Sequence, residues 1–164
     1  AVEEADYVIS KLKPYNVTCP VAIDVEEVNA GSSRQNTLTN EALTDTVIAF
    51  CDRIKEAGYT PMIYANSRYF AGKLDISRLE DYEKWYAFYA DVPYMPYEFS
   101  MWQYTNTGSV DGISGNVDLN ISFKSWKIKI INMDSIMLDT IHAKVDINAP
   151  ESVQRVFVIL AATE

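Results

Sequence analysis

Residues 40–57 carry an amphipathic helix pattern flanked by two short apolar runs, and that succession leaves few architectures open. Leu43, Val47, Phe50, Cys51 and Ile54 recur at helical spacing, and Gly58 suits the position just past a helix end. Ahead of the helix, residues 20–26 read as a short buried strand, separated from it by a polar loop over 29–37. Behind it, residues 61–65 give a second apolar strand after Pro61. A strand, a helix and a strand in close succession imply a parallel βα unit.

The pattern extends both ways. Val2, Ala5, Val8, Ile9 and Leu12 mark a first helix that Pro14 stops. Short helical pieces are expected around 67–72 and 75–82, and further strands over 85–90 and 99–104. Residues 106–120 read as a loop rich in Gly and Asn. Four strands with helices between them are about half of what a closed barrel needs. The expected fold is therefore α/β: a partial (β/α) barrel, about the second half of a TIM-like barrel, over residues 1–122. Residues 123–164 change character, with β-prone runs at 127–131, 141–147 and 153–160, and are expected to form a β-rich C-terminal extension. Open sheet edges are normally covered. The extension, a second copy of the chain, or a first half barrel supplied from elsewhere could cover them.

Composition narrows the partners. The 164 residues carry 23 acidic against 14 basic side chains, a net charge of −9, with no cluster of Lys and Arg. That argues against a nucleic-acid groove and against an anionic membrane surface. A neutral polymer such as a glycan remains compatible. No apolar run approaches the roughly 20 residues of a membrane span, and no signal peptide pattern is visible. Cys19 and Cys51 do not make a disulfide scaffold. Cys51 lies on the apolar helical face as a buried thiol, although a Cys19–Cys51 bridge stays open. With His142 as the single histidine, no metal site is expected.

The chemistry-bearing residues are acids. Asp24 and Glu26 stand two apart on a strand and so share a face. Two carboxylates on one face repel, which raises at least one pKa and lets one acid keep its proton while the other stays charged. The expected holder of the raised pKa is Glu26. Cleavage of a glycosidic bond needs that division of labour. An Asp-x-Glu tripeptide alone is commonplace, however, and more often merely solvated. Glu27 should face away as a surface residue. Asp118, flanked by Asn116 and Asn120 in a loop with Gly115, is either a turn former or a third acid. Trp102, Gln103 and Tyr104 end a strand, and Tyr64 ends another. Such groups are either core or a platform for sugar rings and hydroxyls. Trp85, at the start of its strand, is expected at the opposite end.

These segments together resemble the lysozymes of glycoside hydrolase family 25. The strand from Pro20 to Glu26 looks like the family's Asp-x-Glu strand. Residues 50–66 and 85–89 look like the βα units that follow, and residues 99–105 with 112–120 look like its closing signature. The resemblance implies a muramidase that cleaves the β-1,4 bond between N-acetylmuramic acid and N-acetylglucosamine in bacterial peptidoglycan, without a cofactor, outside the cell or at the cell wall of a bacterium or in phage lysis. It implies Glu26 as general acid, Asp24 as the group that stabilises charge or orients the substrate's acetamido group, and Asp118 as an accessory acid. Tyr64, Trp102, Gln103 and Tyr104 would bind substrate. Two departures stand out: the family's first strand, with its Gly-Ile-Asp and a further acid, is not present, and residues 121–164 match no part of the family's catalytic domain. The alternative is a non-catalytic glycan-binding or structural module derived from such an enzyme. A nucleotide-binding reading fails because no Gly-rich phosphate cradle follows a strand.

Overall fold

The computed structural model describes residues 1–27, 34–126 and 155–157. The chain divides into two compact units, Ala1–Trp85 and the part from Tyr86 onward.

In the first unit, helix α1 (Val2–Leu12) buries Ala5 and Ile9, the centre of its apolar stripe. Helix α2 (Asn40–Glu56) starts at Thr39, whose hydroxyl accepts from the backbone N–H of Ala42 at 3.2 Å. Such a cap satisfies one of the orphan donors of a first turn. Its buried face is Leu43, Thr44, Val47, Phe50, Cys51 and Ile54, which adds one polar residue to the stripe expected from sequence. The helix stops at Gly58, at φ 87°, a left-handed conformation that glycine adopts without a side-chain clash. An Arg53–Asp6 pair at 2.7 Å ties α2 to α1.

Strands β1 (Val21–Val25) and β2 (Pro61–Asn66) pair in parallel, with Val21 opposite Pro61 and Asp24 opposite Tyr64. The parallel βα unit expected from sequence is thus present. Asn66 ends β2 and caps helix α3 (Ser67–Gly72) through its side-chain oxygen, which accepts from the N–H of Tyr69 at 3.1 Å. The helix expected over 75–82 is only a 3₁₀ turn, Ile76–Arg78. Beyond that turn, the buried Lys84 takes the carbonyls of Glu80 at 3.3 Å and Tyr82 at 3.0 Å with its ammonium.

Strand β3 (Glu83–Ala87) crosses the boundary between the units. It begins two residues earlier and ends three earlier than sequence suggests, so Trp85 is mid-strand rather than at its start.

The second unit departs most from expectation. Strand β4 (Met101–Gly108) and strand β5 (Val117–Ser122) pair antiparallel, with Gln103 opposite Asn120. Residues 106–108 and 117–120, expected as loop, are strand. The eight residues between β4 and β5 contain no helix, so the chain must turn straight back, and Gly112 and Gly115 take the left-handed conformations of that turn at φ 88° and 100°. Residues 155–157 form a strand, β6, antiparallel to β5. The β-prone runs at 127–131 and 141–147, and His142, lie outside the described residues.

Both cysteines are free thiols. Burial, with Asp52 beside it, pushes Cys51 up to about 12. Among the described residues, no helix is long and apolar enough to cross a membrane, and no group of three His, Cys, Asp or Glu residues is placed to hold a metal ion.

Candidate active site

In the first unit the acids lie where β1 runs out. Asp24 is the fourth residue of β1 and Glu26 follows its last, at the carboxyl end of a parallel strand. Asp24 is open to solvent at its surface, yet its inner side loses water. That loss, with the negative charge of Glu26 adding to it, pushes its carboxyl up to about 6. The coupling of the two acids is therefore present. The raised group is Asp24, where sequence reasoning places the rise on Glu26.

Parallel register puts Tyr64 beside Asp24 on the same face. Tyr64 in turn meets Trp85 edge to face, with ring centroids 5.0 Å apart. Trp85 therefore belongs beside Tyr64, and the expectation that it packs at the opposite end is corrected. Its distance from the acids in sequence hid it; the ring contact with Tyr64 shows it. Glu27 is paired with Arg68 at 2.6 Å on the surface, as a solvated residue should be. A cavity of about 690 Å³ in this unit is lined by Asn40, Glu41, Lys73, Asp75 and Arg78 among others. None of the candidate acids reaches it. Its Arg78 is held by Asp45 at 2.6 Å, and its Asp75 caps the 3₁₀ turn.

In the second unit Gln103 is fully buried and half-buried Asp118 shares a side-chain hydrogen bond with it. Loss of water raises the Asp118 carboxyl, and the bond from Gln103 opposes that rise. The phenol of Tyr89 donates to Gln103 Oε1 at 3.1 Å. Tyr89 was not among the residues singled out from sequence, because inside the strand expected over 85–90 it looks like any other strand aromatic. Trp102 is buried, donates from Nε1 to the Phe88 carbonyl at 2.7 Å, and packs against Tyr104 with centroids 5.7 Å apart. Neighbours along a strand alternate faces. Trp102 therefore turns away from the face that Gln103 and Asp118 share, and the four candidates of this unit do not form one surface.

A family model described as glycosyl hydrolases family 25 matches residues 1–113. The chain belongs to glycosyl hydrolase family 25. The chain is 30% identical over 118 residues to an autolytic lysozyme of Clostridium acetobutylicum, covering 71% of this chain and 34% of that protein. It is 29% identical over 161 residues to a D-alanyl-L-alanine endopeptidase of Streptococcus phage B30, covering 90% and 34%. The chain thus spans about a third of the length of these relatives. Among solved structures, the modular autolysin LytC of Streptococcus pneumoniae superposes with a TM-score of 0.62 at 25% identity, covering 73% of this chain and 30% of that one. The lysozyme of Streptomyces coelicolor superposes with a TM-score of 0.61 at 22% identity, covering 76% and 61%. These family 25 residues therefore adopt a mixed α/β fold like those structures. The family match ends before Asp118, so that acid lies beyond the segment on which membership rests.

Proposed function

We propose that the chain is the second part of a family 25 muramidase that hydrolyses the β-1,4 bond between N-acetylmuramic acid and N-acetylglucosamine in bacterial peptidoglycan. The lysozyme and autolysin relatives support peptidoglycan as substrate and the cell wall as the place of action. The observation that carries the reading is the Asp24–Glu26 couple, with one carboxyl pushed up to about 6 beside the Tyr64–Trp85 ring pair.

A glycosidic bond breaks through a cationic transition state while a proton reaches the leaving oxygen. Lost water and the nearby Glu26 charge push the Asp24 carboxyl up to about 6, so the pair does not carry two full charges in acid. Glu26 is assigned as donor to the leaving oxygen. Asp24 is assigned to the positive charge that develops, or to the N–H of the substrate's acetamido group, whose own oxygen then attacks the anomeric carbon. Tyr64 offers a ring edge and a hydroxyl to the sugar. Asp118 is assigned as an accessory acid, with Gln103 holding it. Residues 1–122 are assigned to a partial (β/α) barrel and 123–164 to an extension, with a first half barrel or a second copy completing the fold.

The test is the clearing of purified cell walls by the chain, with the new chain ends identified. New reducing sugars that vanish in Glu26→Gln support the proposal. New amino groups would point instead to peptide-bond cleavage, the activity named for the phage relative. Binding without clearing would leave only a glycan-binding module.

A further inference from the structure

The hydrogen bonds around Gln103 have a direction that the atoms themselves decide. An amide side chain has one accepting oxygen and one donating nitrogen. A charged carboxylate can only accept, so the Gln103 nitrogen must face Asp118. The oxygen is then left for the Tyr89 phenol, which meets it at 3.1 Å as donor. Turning the amide over would set oxygen against oxygen at Asp118; the Tyr89 hydroxyl could still accept from the N–H, so the Asp118 end sets the direction and the Tyr89 donor then holds the oxygen.

Tyr89 is itself delivered by its neighbour. The N–H of Phe88 donates to the backbone carbonyl of Gln103 at 3.1 Å, and the Phe88 carbonyl accepts from the Trp102 indole at 2.7 Å. Both backbone groups of Phe88 are thus pinned to β4, one residue before Tyr89. Gln103 is only 2% exposed, so water does not compete well for its oxygen. The strand register adds the last part: Asn120 stands opposite Gln103, and Asp118, two residues before it, leaves β5 on that same face.

We propose that Tyr89 is a positioning residue for the reaction, locking the Gln103 amide so that its nitrogen holds the Asp118 carboxyl group in place. The proposal deepens the reading of Asp118 as accessory acid and rests on it for its effect on catalysis; the hydrogen-bond relay stands without it. Tyr89→Phe keeps the ring and removes only the donor.

The test is a carboxyl NMR titration of Asp118 in the full chain, alongside Tyr89→Phe and Gln103→Leu. Loss of one directed hydrogen bond should move the Asp118 midpoint upward by about half a pH unit in Tyr89→Phe. Gln103→Leu should move it at least as far, and the double variant no further than Gln103→Leu alone. If Tyr89→Phe leaves Asp118 where it is while Gln103→Leu moves it, Gln103 is held without Tyr89 and the proposal falls. If neither variant moves it, the relay does not exist and the proposal falls as well. Hydrolysis has its own readout: kcat should fall severalfold in Tyr89→Phe with KM unchanged. A moved titration in a chain that clears no cell wall would uphold the relay and sink the muramidase reading alone. Should either variant unfold, the Tyr89 hydroxyl proton in the unaltered chain decides: slow exchange with a cross-peak to the Gln103 amide supports the lock, and fast exchange with bulk water overturns it.

Discussion

Asp24 stands directly opposite Tyr64 across the parallel β1/β2 pair, and Tyr64 meets Trp85 edge-on at 5.0 Å. One carboxyl and two rings from three different strands are therefore neighbours, although 61 positions separate Asp24 from Trp85 (85 − 24). Strand register, not sequence proximity, assembles this part of the site.

The raised carboxyl of Asp24 makes stability depend on pH. Its folded value of about 6 lies above the unfolded value of about 3.9. Such a group weakens the fold as pH rises from about 4 through 6, because the folded state resists losing the proton. Asp24→Asn should match the unaltered chain below about pH 4 and be more stable above about pH 6. Urea unfolding at both pH values checks this. Added salt should remove only the smaller part of the gain, the part due to the Glu26 charge, since salt screens charges and does not restore lost water.

Glu26→Gln should act on its neighbour as well as on hydrolysis. Glu26 contributes the smaller of the two causes that raise Asp24. Removing its charge should bring the Asp24 midpoint below about 6, yet leave it above the ordinary aspartate value of about 3.9, because the lost water is unaffected. Carboxyl NMR of the variant measures it, and an unmoved midpoint would mean that the two acids do not interact.

Gly108 has a steric duty at the end of β4. A Cβ placed there would stand 2.4 Å from Leu119 Cγ and 2.9 Å from the Val117 carbonyl oxygen. The Leu119 side chain can turn aside, but the Val117 backbone belongs to the paired strand. Gly108→Ala should cost about 1–3 kcal/mol, the usual range for overpacking, visible as a lower midpoint in thermal unfolding.

Thr44 is the polar member of the α2 core face. Its hydroxyl donates to the Asn40 carbonyl at 2.9 Å and accepts from the Asp75 N–H at 3.0 Å, with no exposure of its own. Thr44→Val keeps the shape and leaves the Asp75 N–H without its acceptor. The expected loss is about 1–3 kcal/mol, measured by urea unfolding. An unchanged midpoint would mean that water reaches the Asp75 amide.

The amino-acid sequence by itself determined the helices and the parallel unit of the first 72 residues. Their signals are local: the stripe from Leu43 to Ile54, the stop at Gly58, and the apolar runs around Ile23 and Ile63. The Asp24–Glu26 pair was legible for the same reason, since residues two apart on a strand share a face whatever surrounds them. Tertiary structure alone decided the β4/β5 hairpin, because Val117–Ser122 becomes a strand only when β4 offers it hydrogen bonds and side-chain alternation there is weak. It alone placed Trp85 on Tyr64, split Trp102 from Gln103, and brought the Tyr89 phenol to the Gln103 amide. It also gave the raised pKa to Asp24, since the loss of water that sets it comes from packed neighbours rather than from the order of residues along the chain.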